Sequence, residues 1–217
     1  MPRRYRGRDF AFWEFALGEF DRTVERRPPE RDSPLLTGVH GGHDLNLRCL
    51  ARAGVVLLGH VIRGGARKLA LAPDLRATLL RGDGWYVQFT NAVDAHVRQH
   101  GLDEPKDEGR GERLPDPQEV AAPILELDLR AAGITSVIWA SGFRYDFGWV
   151  RLPVFSTGSA GQATGPIHQR GITQVPGLYF VGLPWLSKRK SSLLAGVGED
   201  AAFLADHIKG RAEWCIR

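Results

Sequence analysis

The stretch that decides the fold is Gly177-Leu-Tyr-Phe-Val-Gly-Leu-Pro-Trp185, followed by the basic segment Leu186-Ser-Lys-Arg-Lys-Ser191 and by Gly196-Val-Gly-Glu-Asp200. Four apolar residues between Gly177 and Gly182 predict a short strand at 178–181, buried on both faces. A helical pattern begins at Gly196, with expected core contacts at Ala202, Leu204, Ala205 and Ile208. Because a helix start presents free N–H groups and a positive dipole end, we expect it to face an anionic or electron-rich ligand edge.

A second informative block lies upstream, at Ile138-Trp-Ala-Ser-Gly-Phe143, with Asp146-Phe147 just after it. The residues before it predict a short helix over 127–133, ended by Gly133, and then a strand over 134–139. A compact helix–turn–strand unit of this kind is typical of the last step of a dinucleotide-binding domain.

Taken together and in this order, the two blocks resemble parts of flavin-containing-monooxygenase-like flavoproteins. Residues 177–200 are similar to the C-terminal flavin-contacting segment of that family. Residues 138–143 are similar to its Ala-Thr-Gly-Tyr/Phe hinge, with Ser141 in place of the usual Thr. The resemblance implies an α/β fold, with the remainder of a Rossmann-like NAD(P)-binding domain at 1–140 and the C-terminal strand–helix segment of an FAD-binding domain at 141–217.

The resemblance also implies FAD and NAD(P)H as cofactors, a small-molecule substrate, and a chemistry that the flavin carries. No side chain is therefore expected to be catalytic and no metal is expected. Lys188 and Lys190 are weaker candidates for contact with the cofactors, because a charged loop is usually only solvated. The implied cofactor-binding residues are Gly142, Phe143, Gly182, Leu183, Lys188, Gly196, Val197, Gly198 and Arg4. For Arg4, phosphate recognition by its guanidinium fork is one interpretation and a solvated basic terminus is the other.

The sequence lacks the two glycine turns that hold the nucleotides in such flavoproteins. A G-x-G-x-x-G turn must join a strand to a helix. No strand runs directly into Gly196-Val-Gly-Glu-Asp200, and Gly38-Val-His-Gly-Gly42 has the wrong spacing. With 217 residues the chain is also short for two such domains.

We therefore expect a flavin-dependent NAD(P)H oxidoreductase, most like a monooxygenase, present as a C-terminal fragment. The alternative is a non-catalytic remnant or subunit that binds no FAD and folds by association. Its partner would be a second copy of the chain or the missing N-terminal half.

Composition favours an ordinary globular protein, since 43% of the residues are hydrophobic and 25% are charged. A net charge of +4, without a recognised motif, disfavours nucleic-acid binding. No apolar run is long enough to span a bilayer and no signal peptide follows Met1, so a cytoplasmic protein without a membrane partner is expected. His40, His43 and Asp44 lack a second ligand cluster, which disfavours a metal site there.

Periodicity predicts the remaining elements. A helix capped by Asp9 is expected over 10–24, and a turn is expected at Gly82-Asp-Gly84, before a helix that starts near Trp85 and ends near Gly101. The other expected elements are a short helix over 45–53 and strands over 55–58 and 68–72.

Overall fold

The computed structural model describes residues 3–28, 35–106, 113–143, 145–157 and 163–215. The chain divides into two compact units. Unit 1 comprises Met1–Leu17 and Asp32–Trp139, and unit 2 comprises Gly18–Arg31 and Ala140–Arg217. The division after Trp139 lies beside the predicted boundary, and the assignment of the two parts to NAD(P)- and FAD-binding domains stays a prediction.

Unit 1 combines helices with short antiparallel strands. Its helices are α1 (Phe10–Ala16), α2 (Leu47–Arg52) and α3 (Leu75–His100). Its strands are β1 (Arg4–Tyr5), β2 (Arg8–Asp9), β3 (Val61–Gly64), β4 (Lys68–Leu71) and β5 (Glu126–Asp128). The expected Asp9 cap is confirmed, because its carboxylate accepts a hydrogen bond from the Ala11 N–H at 2.9 Å. The expected helix over 45–53 and strand over 68–72 are confirmed as α2 and β4.

The core of unit 1 forms where α1 lies against α3. Phe89, Val93 and Val97 recur every four residues and therefore share one face of α3, where Phe10 and Trp13 of α1 cover them. The Trp13 indole N–H donates to the Tyr5 carbonyl at 2.8 Å, so that its polar edge is satisfied in a buried position.

The sheet of unit 1 contradicts the Rossmann-like expectation. β4 pairs antiparallel with β3 on one side and with β5 on the other, and no parallel pairing occurs in the part of the chain that the structure describes. The expected strands over 55–58 and 134–139 are wrong: neither segment belongs to a sheet in the described part of the chain, and Ile138 is 90% exposed. An apolar run becomes a buried strand only when neighbouring strands supply backbone partners, and here they do not.

Three further expectations for local structure are wrong. Residues 127–133 are not a helix, because Leu127 and Asp128 pair with β4 and a turn follows. The helix expected over 10–24 stops at Ala16, and two 3₁₀ turns, Glu19–Asp21 and Val24–Arg26, follow Gly18 at φ +71°. Gly82 and Gly84 lie inside α3 rather than in a turn, since the buried Leu75, Leu79 and Phe89 outweigh the low helix propensity of two glycines. The predicted helix end is confirmed at Gly101, at φ +60°.

The described part of unit 2 contains one hairpin and one long helix. β6 (Phe155–Thr157) pairs antiparallel with β7 (Ala163–Pro166), and α4 runs over Val197–Cys215. The helix expected from Gly196 is confirmed. The strand expected at 178–181 is reduced to one bridge between Tyr179 and Ile172, and Val181 is exposed, because again no sheet flanks it.

The core of unit 2 is smaller than the sequence suggests. Of the four expected core contacts on α4, Leu204 is buried, whereas Ala202, Ala205 and Ile208 are exposed. Leu204 lies beside Gly171 and Leu186, close to the segment that precedes α4. Within the described ranges, no helix has the length and apolarity needed to cross a membrane.

Candidate functional site

The segment from Gly182 to Asp200, here called the loop–helix site, leads from the irregular chain at 178–181 into the first turn of α4. Its backbone contains two left-handed residues, Gly182 at φ +76° and Trp185 at φ +58°. For Trp185 this conformation is unfavourable, and such strain persists only where surrounding contacts hold it. Strained non-glycine residues concentrate at binding and catalytic sites, which directs attention to this loop.

The loop is fixed by hydrogen bonds to a short distant segment of unit 2. The Val24 N–H donates to the Ser187 carbonyl at 2.9 Å, and the Arg189 N–H donates to the Arg22 carbonyl at 2.9 Å. Inside the loop, Ser191 Oγ accepts from the backbone N–H groups of Ser187 and Lys188 at 3.1 and 3.0 Å. The loop is therefore braced on both sides of Lys188.

Four charged side chains form a lysine–carboxylate cluster at this site: Lys188, Lys190, Asp21 and Glu199. Lys188 Nζ lies 3.1 Å from Asp21 Oδ1 and 2.8 Å from Glu199 Oε2. Lys190 contacts the same two carboxylates, and its Nζ–Oδ1 distance to Asp21 is 2.8 Å. Both lysine charges are thus balanced by carboxylates of the chain itself.

The cluster shifts the pKa of every member toward its charged form. Hydrogen bonds from Lys190 and Lys188 lower the pKa of Asp21, and the same lysines lower the pKa of Glu199, Lys188 being the larger cause there. Bonds to Glu199 and then Asp21 raise the pKa of Lys188, and bonds to Asp21 and then Glu199 raise the pKa of Lys190. The four groups are therefore all charged near neutral pH.

A buried carboxylate lies at the start of α4. Asp200 is 1% exposed, and its Oδ1 accepts from Ser187 Oγ at 2.5 Å and from Arg170 Nε at 3.4 Å. Its Oδ2 has no hydrogen-bond partner among the described residues. Arg170 has φ +48°, and its guanidinium lies 4.1 Å from the centre of the Phe203 ring. This buried acceptor is suited to a hydroxyl or N–H donor.

His168 lies close enough to Asp200 for the carboxylate charge to act on it. Burial lowers the pKa of His168, and the negative charge of Asp200 opposes this shift only in part. The Gly171 N–H donates to His168 Nδ1 at 3.3 Å, so the neutral ring carries its proton on Nε2. Near neutral pH, His168 therefore brings no positive charge to the site.

The start of α4 is less suited to an anion than its dipole alone suggests. Glu199 and Asp200 both lie in its first turn, where their charges already complement the helix dipole. The N–H groups of Gly196 and Val197 both donate to the Leu193 carbonyl at 2.9 Å, which leaves fewer donors for a ligand. The site therefore favours an uncharged or hydrogen-bond-donating ligand edge over a phosphate.

The three glycines of the site have different surroundings. A Cβ on Gly196 would lie 2.2 Å from the Lys190 carbonyl oxygen, so close packing within the protein requires this glycine. A Cβ on Gly182 would meet only Val197 Cγ2, at 3.9 Å, and one on Gly198 would meet nothing within 4 Å. Gly182 and Gly198 thus leave room for a ligand, whereas Gly196 does not.

The other predicted cofactor contacts are more scattered. Leu183 is half-buried in the loop, and its carbonyl accepts from the Leu186 N–H at 3.2 Å. Gly142, at φ +92°, is exposed and Phe143 is fully exposed in unit 2. Arg4 belongs to unit 1, where its guanidinium donates to the carbonyls of Gly41 and Gly42 at 3.2 and 3.4 Å.

Sequence reasoning missed the side chains that organise the loop. Asp21 stands 167 positions before Lys188, and no local pattern connects two residues so far apart. Ser187 and Ser191 likewise act through bonds that depend on the folded loop. The acidic pair Glu199–Asp200 could have been identified, because acidic residues favour the first turn of a helix.

The chain is similar in part to three bacterial proteins that are described as uncharacterized oxidoreductases. It is 38% identical over 102 residues to the CzcO-like protein of Geobacillus kaustophilus, a match that covers 46% of this chain and 28% of the relative. It is 40% identical over 87 residues to CzcO of Bacillus subtilis, covering 40% and 24%. It is 37% identical over 83 residues to CzcO of Bacillus velezensis, covering 38% and 23%.

These matches show homology to oxidoreductases over part of the chain. The chain spans about a quarter of the length of the curated relatives it matches. Neither a protein-family model nor a solved structure matches it. The comparisons relate this chain, over less than half of its length, to the CzcO-type oxidoreductases.

Proposed function

We propose that the chain supplies the flavin-contacting wall of an NAD(P)H-dependent oxidoreductase, most like a flavin monooxygenase. The observation that carries this proposal is the 37–40% identity to oxidoreductases over about 40% of the chain. Residues 138–143 and 177–200 resemble flavin-containing-monooxygenase-like proteins, and this resemblance is the reason for proposing a flavin as the cofactor.

The loop–helix site fits one edge of a flavin ring. Gly182 and Gly198 give room for a planar group to approach the backbone, and Leu183 offers an apolar contact beside them. A bound flavin would supply hydride acceptance from NAD(P)H and reaction with oxygen, which no side chain can provide. The residues of this chain would hold the ring, set its orientation and keep water from its face.

The same site does not fit the diphosphate of FAD. A diphosphate needs a glycine turn between a strand and a helix, and in the ranges described α4 follows a 3₁₀ turn, Arg189–Ser192, instead of a strand. The carboxylates of Glu199 and Asp200 would also repel it. We therefore propose that the nucleotide-binding turns come from another polypeptide segment.

A visible absorption spectrum tests the proposal. The purified chain is incubated with FAD, with FMN and with riboflavin, and is then separated by gel filtration. Because the site fits the ring and not the diphosphate, we expect all three to bind with similar affinity and to show retained flavin bands. The variant Gly198→Val should weaken binding of all three, while Phe12→Ala in unit 1 should not. A chain that retains no flavin at saturating concentration contradicts the proposal.

The second candidate is a non-catalytic subunit that associates without FAD. Its support is the exposure of large apolar side chains that a soluble monomer rarely leaves in water: Trp139 is 75% exposed, Leu194 98% and Phe143 fully so. A chain that stays colourless with every flavin, yet sediments as an oligomer, would favour this function over the first.

A further inference from the structure

Two histidines of α3 form a close pair outside the loop–helix site. His96 and His100 stand four positions apart on the helix, and the centres of their imidazole rings are 4.1 Å apart. Side chains at positions i and i+4 lie on one helical face. His96 is half-buried and His100 is exposed, so a dissolved ion can reach both rings.

Each ring is held by a neighbouring group. His100 Nδ1 lies 2.9 Å from the His96 carbonyl oxygen, and because a carbonyl can only accept, Nδ1 carries the proton and Nε2 keeps its lone pair. The His96 ring meets the buried Trp13 indole edge-on, with ring centres 6.5 Å apart. Histidine ligands of metals commonly donate their second N–H to a backbone carbonyl in this way.

The backbone beneath the pair is rigid for a surface site. Val93 and Val97, on the adjacent face of α3, are buried against Phe10 and Trp13. The turn that carries the two histidines is therefore anchored to the core of unit 1. Little conformational freedom would be lost when the two rings bind a common ion, which favours binding.

We propose that His96 and His100 chelate one divalent transition-metal ion, with water in its other coordination positions. Two histidines at i and i+4 on one helical face bind zinc in the H-E-x-x-H motif, and His96-Val-Arg-Gln-His100 has the same spacing. Imidazole ligands select Zn²⁺, Cu²⁺ and Ni²⁺ over Mg²⁺ and Ca²⁺. Among the described side chains no group of three or more His, Cys, Asp and Glu could hold a metal, so this site has two protein ligands and binds Cu²⁺ more tightly than Zn²⁺.

Chelation by both histidines predicts a specific gain in metal affinity. The second imidazole binds at the effective concentration set by the helix, which strengthens binding by about 10²-fold or more over a single imidazole. Removal of either histidine should therefore remove nearly all of the affinity. Two independent imidazoles would instead lose half of the binding capacity at unchanged affinity.

The test is a calorimetric titration of the whole untagged chain with Cu²⁺ and with Zn²⁺, in a buffer that does not bind metals. The variants are His96→Gln, His100→Gln and, as the matched control, His40→Gln with His43→Gln, which removes two exposed imidazoles from a loop of unit 1. We expect one ion per chain for the wild type and the control. Each single α3 variant should bind about 100-fold more weakly.

Thermal unfolding gives a second readout. Metal at about 100 times its Kd should raise the ratio of folded to unfolded wild-type chain about 100-fold, and should do much less for His100→Gln. The His96→Gln variant changes a residue beside Trp13 and could unfold the chain. His100 is exposed, so His100→Gln should stay folded and still tests the proposal. Equal titrations for the wild type and both single variants, or a loss confined to the control, would overturn the proposal.

Discussion

At the scale of single residues, Gly196 and Gly198 stand two positions apart with opposite requirements. Gly196 is buried, and a Cβ added at this position would collide with the Lys190 carbonyl. Gly198 borders open space in the first turn of α4. We expect Gly196→Ala to lower the free energy of unfolding by about 1–3 kcal/mol through overpacking. We expect Gly198→Ala to raise it by about 0.5–1 kcal/mol through helix propensity.

Urea denaturation of the two variants and the wild type measures both effects. The pair is matched, because each variant adds one methyl group within the same three residues. A Gly196→Ala protein as stable as the wild type would mean that the Lys190 carbonyl moves aside at little cost, and the packing explanation for this glycine would be wrong.

Tyr5 provides a residue-scale prediction for pH. Burial, followed by the hydrogen bond to Asp94 at 3.0 Å, raises its pKa from 10.0 to about 12. Since the pKa is higher in the folded protein, the stability that Tyr5 contributes is complete below pH 10 and is lost as the pH rises toward 12. The variant Tyr5→Phe should therefore lose less stability than the wild type between pH 9 and 11.

Chemical denaturation at the two pH values measures the difference between the two proteins. Tyr145→Phe serves as the control, because Tyr145 is exposed in unit 2 and should change this difference little. If Tyr5→Phe follows the wild type across the alkaline range, Tyr5 does not ionise in the way its surroundings indicate.

At the scale of elements, the lysine–carboxylate cluster joins the 3₁₀ turn Glu19–Asp21 to the loop and to α4. Lys188 and Lys190 contact the same two carboxylates, but the Lys190 side chain is 10% exposed and the Lys188 side chain 31%. Exposed ion pairs are weak and screened by salt, whereas truncation of a buried lysine also removes the packing of its methylene stem.

We therefore expect Lys190→Ala to cost about 1–3 kcal/mol of stability through its lost methylene packing and Lys188→Ala to cost at most about 1 kcal/mol. At 1 M salt, where the screening length is about 3 Å, the cost of Lys188→Ala should vanish and that of Lys190→Ala should persist. Urea denaturation at low and high salt distinguishes the two variants. Equal costs that both vanish in salt would show that burial of Lys190 adds nothing.

The stability that the lysine–carboxylate cluster contributes depends on pH. Asp21 and Glu199 have lowered pKa values, so their contribution is present above the ordinary carboxyl range and is lost as the pH falls below it. The raised pKa values of Lys188 and Lys190 act in the opposite direction, and their contribution is lost only in strong alkali. The bracing of the loop is thus complete near neutral pH.

Local sequence signals predicted the helices better than the sheets. Asp9, the apolar face of α3 and Gly101 act within a few residues of the elements that they define, so the start of α1 and the part of α3 after Trp85 could be predicted, whereas the first part of α3 was not. Three segments have the composition of buried strands, namely residues 55–58, 134–139 and 178–181. A strand also needs a neighbouring strand to pair with, and the sequence of one segment does not show whether such a neighbour exists. The lysine–carboxylate cluster was unpredictable for the same reason, because Asp21 is remote in sequence.

At the scale of the whole molecule, the unpaired segment at 134–139 is the feature that most needs a partner. It belongs to no sheet within the described ranges, and Ile138 and Trp139 are 90% and 75% exposed. An exposed apolar edge of this kind is a template for pairing with another strand. A second copy of the same segment can pair with it around a two-fold axis, since such an interface is self-complementary.

We expect the double variant Ile138→Ser with Trp139→Ser to change the free energy of unfolding of the monomer by no more than about 0.5 kcal/mol, because neither side chain is buried in the chain itself. Self-association should fall steeply, since a tryptophan at the centre of an interface contributes about 2 kcal/mol or more, equivalent to roughly 30-fold in Kd. Sedimentation velocity over a concentration series measures the association.

Leu80→Ser is the control, because Leu80 is an exposed leucine of α3 outside the segment. It should leave association unchanged, which separates the effect of the segment from a general loss of surface apolarity. A wild-type chain that stays monomeric at every concentration would contradict pairing with a second copy. The alternative partner is the nucleotide-binding segment that the proposed flavin site requires. If that segment associates with the wild-type chain but not with the double variant, residues 138–139 lie at the contact between the two.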